Sequence, residues 1–202
     1  MEEKKQIPFI LSRYNHHISW VHDYTDQVVL YDRSENPLEG AIVAPNIGSD
    51  IYDKLTFIID HYNNLPELAV YTKANLFDYI TPKEFERIRF NTTFTPILTQ
   101  RHKTYSDEQG VVCFYKDGSY YERNNGWYLS AHPARNTELF FLLGMNGLDY
   151  VPFAPGSNYI LPKANILKYH KRFYEKLRAY LEWTVYPGEA MIIERGLQLL
   201  WQ

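Results

Sequence analysis

The chain contains 202 residues, of which 45% are hydrophobic, and this content excludes an intrinsically disordered protein. Its 21 basic and 24 acidic residues nearly cancel, so the sequence gives no general positive field for nucleic acid or for an anionic membrane. A single cysteine, Cys113, excludes an internal disulfide framework and a cysteine-based zinc site.

The amino-terminal region contains only a short apolar run, residues 7–11, before polar sequence resumes. This run is too short for a signal peptide, and no later run approaches the length of a membrane span. We therefore expect a cytoplasmic protein without a membrane span, either on its own or as one part of a longer multidomain chain.

Strand-like and helix-like segments alternate in the first half of the chain. The strands are predicted at 7–12, 27–31, 40–44 and 68–72, and the helices at 50–62 and 82–88. Ser49 or Asp50 is the expected cap of the first helix, and Thr81 is the expected cap of the second. Apolar strands that alternate with helices indicate an α/β fold with a mostly parallel central sheet flanked by helices.

The second half of the chain is less regular. Residues 111–123 predict a β-hairpin, inserted after the alternating half. The apolar segment 138–145 suits either a helix or a strand. A strand is expected at 158–161, a long amphipathic helix at 162–183, and a last helix from 187 to 200.

Polar residues stand at the carboxyl ends of three predicted strands. They are Ser12, Arg13, Tyr14 and Asn15 after the first strand, Asp32 after the second, and Lys73 after the fourth. Ligands of parallel sheets bind at this edge, and a cation, a ring and an amide together can clamp a base and a phosphate. The pattern therefore predicts a nucleotide-binding site, although Asp32 equally suits a turn.

Two further segments are candidates for the same site. Asn46 and Gly48 lie in the loop that leads into the first helix, where backbone N–H groups favour anions. Asn75 and Asp78 follow the fourth strand, and an amide with a carboxylate can hold a divalent cation against a diphosphate. Lys73 could neutralise the phosphate instead, which would make the metal less necessary, and Asp78 also suits the cap of a turn.

The order of these segments resembles the GT-A type of nucleotide-sugar glycosyltransferase, and more closely the small glycosyltransferase domains of large algal viruses (chloroviruses). The matching segments are SRYN (12–15), ISW (18–20), VVLYDR (28–33), APNIGSD (44–50), IDHYNNLPELAVYTKANLFDY (59–79), PGSNYILPKANI (155–166) and IERGLQLLW (193–201). The resemblance implies a single GT-A-like domain over 1–202, with a nucleotide-binding half, 1–90, and an acceptor and sugar half, 91–202. It also implies a viral protein in the host cytoplasm.

The resemblance assigns roles to the predicted ligand-binding residues. Asp32 would contact the base, and Asp78 with Asn75 would bind Mn²⁺ or Mg²⁺, with no organic cofactor. GT-A enzymes typically carry Asp-x-Asp at the metal site, and this sequence contains no such motif. The resemblance also favours UDP as the carrier and an inverting reaction.

Residues of the carboxyl-terminal half would complete the sugar and acceptor sites. The resemblance places Gly156, Ser157 and Tyr159 in the sugar pocket. Trp127 could pack on a sugar face or could equally belong to the core.

Two glutamates are candidates for the base that deprotonates the acceptor hydroxyl. Glu194 matches the family segment better, although an ion pair with the adjacent Arg195 would weaken it as a base. Glu189 lies near a helix start, where a carboxylate also stabilises the helix.

We therefore expect a glycosyltransferase that moves a sugar from a nucleoside-diphosphate sugar to a hydroxyl of a glycan acceptor, with no nucleic-acid partner. The alternative is a non-catalytic module that binds a nucleotide sugar or a glycan. A third hypothesis is a sugar nucleotidyltransferase, which normally has a glycine-rich loop after its first strand, where this chain has SRYNHH.

Overall fold

The computed structural model describes residues 7–99, 104–116, 119–124 and 133–202, without the side chains of 133–136. Its strands are β1 (Phe9–Arg13), β2 (Val28–Asp32), β3 (Ile42–Val43), β4 (Leu68–Lys73), β5 (Thr95–Pro96), β6 (Tyr105–Asp107), β7 (Gly110–Lys116), β8 (Ser119–Arg123), β9 (Tyr150–Pro152) and β10 (Tyr159–Pro162). Its helices are α1 (Ser49–Asp60), α2 (Pro82–Ile88), α3 (Pro133–Leu142), α4 (Lys163–Ile166), α5 (Lys171–Ala179) and α6 (Gly188–Trp201).

The central sheet has six strands in the order β3-β2-β1-β4-β10-β5. The first four strands are parallel to one another, whereas β10 runs antiparallel to both β4 and β5. The α/β class and the predicted parallel half are thus confirmed, and the whole sheet is mixed. The chain leaves β1 toward β2 and β3 on one side and returns to β4 on the other, so the strand order reverses between β1 and β4.

A second sheet, β6-β7-β8-β9, is antiparallel throughout. Its β7 and β8 are the two arms of the hairpin predicted at 111–123, paired from Cys113 opposite Glu122 to Lys116 opposite Ser119. The tip of the hairpin, residues 117–118, lies outside the described residues. The hairpin is therefore the centre of a larger sheet, since β6 and β9 extend it on both sides.

Helix α1 lies on the central sheet as its periodicity predicts. Ile51, Leu55, Ile58 and Ile59 of the predicted stripe are at most 5% exposed, and they join the largest apolar cluster with residues of α5 and α6. Helix α2 begins as predicted too, because Thr81 forms a capping box with Glu84. The apolar segment 138–145 is largely helical, since α3 ends at Leu142.

The predicted cap of α1 is wrong. Neither Ser49 nor Asp50 caps the helix with its side chain, and the residue before the helix is Gly48, in a left-handed conformation (φ 65°). The N–H groups of Gly48 and Ser49 donate to the carbonyls of Thr184 and Val185. A distant backbone segment thus accepts from N–H groups at the start of the helix, which have no partner within the helix.

The predicted long helix over 162–183 is also wrong, because the chain forms two short helices, α4 and α5, with a break at 167–170. Tyrosine hydroxyls from other positions bind the carbonyls at this break. Tyr174 Oη donates to the Ile166 carbonyl at 2.7 Å, and Tyr62 Oη donates to the Tyr169 carbonyl at 2.6 Å. These bonds satisfy carbonyls that a continuous helix would have paired internally.

Among the described residues, none of the helices is both long and apolar enough to cross a lipid bilayer.

Tyr174→Phe should lower the free energy of unfolding by about 1–3 kcal/mol, because it removes a buried hydroxyl that donates to the Ile166 carbonyl and accepts from the Trp201 Nε1–H. Urea denaturation monitored by circular dichroism measures this difference. Tyr186→Phe is the matched control, since Tyr186 is 79% exposed, and it should change stability by less than about 0.5 kcal/mol. Equal stabilities for Y174F and wild type would contradict this explanation of the break.

Candidate functional site

A cavity of about 220 Å³ opens at the carboxyl ends of β1, β2 and β4, where the strand order reverses. In open α/β sheets this is the position at which ligands bind. We call it the first cavity, and its lining residues are Ser12, Arg13, Tyr14, His16, Arg33, Asn46, Ser49, Asp50, Lys73, Asn75, Tyr79 and Tyr186. The structure thus brings together six of the predicted site residues, which are Ser12, Arg13, Tyr14, Asn46, Lys73 and Asn75.

Asp50, in the first turn of α1, is at the centre of the charged network beneath this cavity. Its carboxylate is paired with the ammonium of Lys54, one turn along α1, and with that of Lys73 at 3.1 Å. The hydroxyls of Ser49 and Ser157 donate to the same carboxylate at 2.9 and 2.8 Å. One carboxylate therefore connects α1, the end of β4 and the segment before β10.

The charges of this network are unequally exposed. Lys54 has a side chain only 1% exposed, whereas that of Lys73 is 23% exposed and faces the cavity. Burial alone would raise the pKa of Asp50, but the two ammonium groups outweigh it and hold that pKa far below its usual range. Burial lowers the pKa of Lys54 more than Asp50 raises it. Asp50 is thus the counter-charge on which a buried cation depends.

Arg33 forms a second buried ion pair beside the first. Its Nε and Nη2 atoms bind both carboxylate oxygens of Asp53, at 2.7 and 3.1 Å, and its guanidinium also donates to the Ser49 carbonyl. This bidentate pair fixes the end of β2 to the first turns of α1. It orients the wall of the cavity that Asn46 and Ser49 line.

Asp32 is fully buried, and both of its oxygens have partners. Oδ1 accepts from the Ser34 N–H and hydroxyl, and Oδ2 accepts from the Leu38 N–H and from Arg13 at 2.5 Å. These hydrogen bonds are those expected of an Asp that stabilises a turn, which the sequence allowed as an alternative to a nucleotide contact. Burial opposes the charge of Asp32, but these hydrogen bonds outweigh it and lower its pKa. A contact between Asp32 and a base stays a prediction.

The outer edge of the cavity carries aromatic rings and the partly exposed ammonium group of Lys73. Tyr14 is 45% exposed and Tyr186 is 79% exposed. Lys73 Nζ lies 5.7 Å from the centre of the Tyr79 ring. Rings in such positions can stack on a planar base, while the ammonium attracts phosphate. Of the remaining residues predicted for this rim, Asn15 (φ 59°) and Gly48 shape the loops without lining the cavity.

The predicted metal pair lies at the edge of this cavity. Asn75 lines it, whereas Asp78 is exposed outside the lining and accepts a hydrogen bond from the Asn75 amide at 2.7 Å. Among the described residues, no group of three or more His, Cys, Asp or Glu side chains is placed to hold a metal ion. One carboxylate already bonded to its partner amide fits a divalent cation poorly. The metal site stays a prediction, and no chemical step is derived through it.

The segment 156–159 supports the cavity from below. Gly156 has φ 82°, and a Cβ there would lie 2.7 Å from the Tyr79 ring, so glycine allows this close approach. Asn158 accepts from the Thr72 hydroxyl and the Lys73 N–H, at 2.9 and 3.0 Å. Tyr159 is fully buried, with its ring against Phe94 and Trp201. A sugar contact by these residues stays a prediction, and Trp127 lies outside the described residues.

The two candidate bases are in different environments. Glu189 is fully buried in the first turn of α6, whereas Glu194 is half-buried and accepts a hydrogen bond from the Gly156 N–H at 2.9 Å. Arg195 pairs with Glu122 at 2.6 Å, and its charge still acts to lower the pKa of Glu194. Burial outweighs this effect and raises the pKa of Glu194, which suits a base that works near neutral pH.

Sequence reasoning missed several charged or aromatic members of this site. Among them are Arg33, Asp53, Lys54, Tyr79 and Tyr186, and Asp50 was interpreted only as a cap. The available signal was an Asp and a Lys at i and i+4 beside the apolar stripe of α1. Such a pair is ordinary on exposed helices. Its burial follows from the position of α1, which the sequence alone does not reveal.

Comparison of the chain with protein-family models, with curated proteins and with solved structures finds no match.

Asp50→Asn should lower the free energy of unfolding at neutral pH by about 3–5 kcal/mol, because it leaves the buried Lys54 ammonium uncompensated. The folded-state pKa of Lys54 lies below its unfolded value, so the unfolded state binds more protons between the two. The stability of D50N should therefore rise from about pH 7 to about pH 10. Urea denaturation across this range measures both effects.

The double variant Asp50→Asn, Lys54→Met is the control, because it removes the buried cation together with its partner. It should recover most of the stability lost in D50N and lack the Lys54 part of the pH dependence. A single D50N variant as stable as wild type at neutral pH would show that Asp50 is not the required counter-charge.

Proposed function

We propose that this protein is a glycosyltransferase that binds a nucleoside-diphosphate sugar in the first cavity and transfers the sugar to a hydroxyl of an acceptor glycan. The observation that carries the proposal is the position of Lys73 and Arg13, two cations at the carboxyl ends of β4 and β1, beside exposed tyrosine rings. A nucleotide base can stack on an aromatic ring, and a diphosphate binds to fixed positive charge. This edge of the sheet offers both.

Lys73 is the residue best suited to the diphosphate. Burial opposes its charge, but Asp50 and Glu194 outweigh that effect and raise its pKa, so Lys73 is a permanent cation. Its ion pair with Asp50 fixes the ammonium in position without removing it from the cavity. A positioned cation stabilises the negative charge that develops on a departing nucleoside diphosphate. Arg13 is more constrained, since Asp32 and the His16 carbonyl already bind its guanidinium.

Glu194 is the proposed base. Its contact with Gly156 connects it to the cavity, because Gly156 packs against the lining residue Tyr79. In the proposed step the acceptor oxygen forms a bond to the anomeric carbon while the bond from that carbon to the diphosphate oxygen breaks. The hydroxyl proton passes to the Glu194 carboxylate, and the electron pair leaves with the nucleoside diphosphate, whose charge Lys73 faces. Attack opposite the leaving group gives inversion.

A non-catalytic module for nucleotide sugars is the second candidate function, and one observation favours it. Asp50 is the only carboxylate among the described residues that line the first cavity, and its oxygens are bound by two lysines and two serines. Such a carboxylate binds its partners and is not available as a base. The two candidates therefore differ in whether Glu194 reaches an acceptor hydroxyl.

UDP and GDP binding, measured by calorimetric titration with and without Mn²⁺, tests the donor site. We expect one nucleotide to bind without metal and Lys73→Ala to weaken that binding about 10- to 100-fold, the loss of one charge-assisted contact. Lys83→Ala removes an exposed lysine of α2 and should leave the affinity unchanged.

Strict dependence on Mn²⁺, abolished by Asp78→Ala, would instead assign the cation role to the predicted metal pair. Failure of UDP, of GDP and of their sugar conjugates to bind would contradict the donor site as a whole.

Glu194→Gln should reduce sugar transfer by about 10²- to 10⁴-fold while donor affinity stays the same, because the amide can still accept from Gly156 but cannot take a proton. The midpoint of the acid limb of the wild-type pH–rate profile should lie at a higher pH than the usual pKa of a glutamate, since the Glu194 pKa is raised. Transfer assays from about pH 4 to pH 8 with a bound donor measure both effects.

Glu189→Gln is the comparison variant, because it makes the same change at a fully buried position in the same helix. An active E194Q enzyme together with an inactive but folded E189Q enzyme would move the role of base to Glu189. Donor binding by wild type without transfer to any glycan acceptor would favour the binding module.

A further inference from the structure

A second cavity of about 530 Å³ lies at the opposite edge of the central sheet, beside β5 and the carboxyl end of α6. Its lining residues are Thr92, Thr93, Phe94, Pro96, Ser119, Pro162, Asn165, Gln198 and Gln202. None of them lines the first cavity, and Pro162 pairs with Leu68 at the opposite end of β4 from Lys73. The volume falls in the range of small-molecule sites, about 300–1,000 Å³.

The chemistry of this lining is uniform. It consists of hydroxyl and carboxamide groups together with one aromatic ring and two prolines, and none of these lining residues is charged. Amides and hydroxyls both donate and accept hydrogen bonds, which suits a ligand whose own groups do the same. The side chains of this lining offer no counter-charge to a phosphate, a carboxylate or an ammonium group.

The side chain of Gln198 is an independent indication that this cavity binds a ligand. The residue lines the cavity and is only 1% exposed, yet neither its amide nitrogen nor its carbonyl oxygen has a hydrogen-bond partner among the described residues. Buried polar groups in folded proteins are almost always paired, because an unpaired one is destabilising. A buried carboxamide that offers both a donor and an acceptor fits adjacent hydroxyls of a ligand.

Neighbouring residues hold the rest of the lining in place. The Phe94 ring stacks on the buried Tyr159 ring, with the ring centres 5.5 Å apart. Asn165 donates its amide to the Trp201 carbonyl at 2.6 Å, which fixes the side chain and orients its own carbonyl oxygen. The aromatic ring and one amide are thus already fixed in the free protein, so binding a ligand costs little conformational entropy at these two side chains.

We propose that the second cavity is a binding site for a short neutral saccharide, with Gln198 hydrogen-bonded to sugar hydroxyls and Phe94 packed on a sugar face. Neutral polyhydroxyl ligands match a lining of amides, hydroxyls and one ring, whereas acidic or basic ligands find no partner. The site is separate from the first cavity, and it does not depend on whether transfer occurs there.

Saccharide binding by the full chain tests this site. The probes are maltotriose, cellotriose and mannotriose, with trigalacturonic acid as the acidic counterpart and trialanine, acetylated and amidated at its ends, as an uncharged peptide, each followed by saturation-transfer NMR and calorimetry. We expect at least one neutral trisaccharide to bind and the other two probe classes not to bind. Gln198→Leu should weaken that binding about tenfold, as expected for the loss of two neutral hydrogen bonds.

Three comparison variants make the result specific. Gln27→Leu makes the same change at an exposed position before β2 and should leave saccharide affinity unchanged. Thr93→Val should weaken binding with no loss of stability, since Thr93 is exposed. Lys73→Ala should also leave saccharide affinity unchanged, so failure of the donor site and failure of this site are distinguishable.

The stability of Gln198→Leu provides a readout that does not depend on finding the ligand. Without saccharide this variant should be at least as stable as wild type, because leucine removes an unpaired buried amide. A clear loss of stability would show that the amide is paired in the free protein, and would overturn the proposal. Binding of trialanine or trigalacturonic acid in place of the neutral sugars, unchanged saccharide affinity in Q198L, or no binding of any neutral trisaccharide would overturn it as well.

Discussion

The burial of the Lys54 ammonium is the constraint on which the first cavity depends. A cation that is 1% exposed is tolerated only with a fixed counter-charge, and Asp50 provides it. Because Asp50 also binds Lys73 and Ser157, the same requirement fixes the end of β4 and the segment before β10. The partly exposed charge of Lys73 is therefore held in place by a buried one, and the cavity has a positive wall whose position does not rely on flexible surface side chains.

The topology of the sheet explains why these groups meet. Strands β2 and β3 lie on one side of β1 and β4 lies on the other, and this reversal of strand order opens a crevice at the carboxyl ends of β1 and β4. The parallel register of β1 and β4 places Ser12 directly beside Lys73. The antiparallel β10 then brings Asn158 against Thr72 and the Lys73 N–H. Parallel strands create the crevice, and the antiparallel strand supports it. The second cavity arises at the other side of the same β10, where the partner is the short edge strand β5.

Local patterns in the sequence predict much of this fold. The apolar stripe of α1, the helix cap at Thr81 and the hairpin arms each depend on neighbouring residues, and the structure confirms them. Convergence of Ser12, Arg13 and Lys73 was also predictable, because strand order puts their strand ends at one edge. Tertiary contacts decide the features that sequence reasoning missed. Hydroxyls of Tyr62 and Tyr174 bind carbonyls where the predicted helix at 162–183 breaks, and backbone carbonyls of 184–185 accept from N–H groups at the start of α1. Tyr62 and the 184–185 carbonyls are distant in sequence from the segments that they complete, so no local signal in those segments indicates them.

The hydrogen bonds from Gly48 and Ser49 to the carbonyls of Thr184 and Val185 have a consequence for the order of folding. The start of α1, which forms one wall of the first cavity, is completed by residues from the last part of the chain, and Lys54 meets Ser157 across 103 residues of sequence. Contacts between distant parts of a chain form late, because closing a long loop precedes the gain from the contact. During synthesis the early strands emerge without the groups that complete this cavity. The first cavity therefore takes its final form only after residues 157, 184 and 185 are in place, and the proposed donor affinity is expected to appear at that late stage of folding.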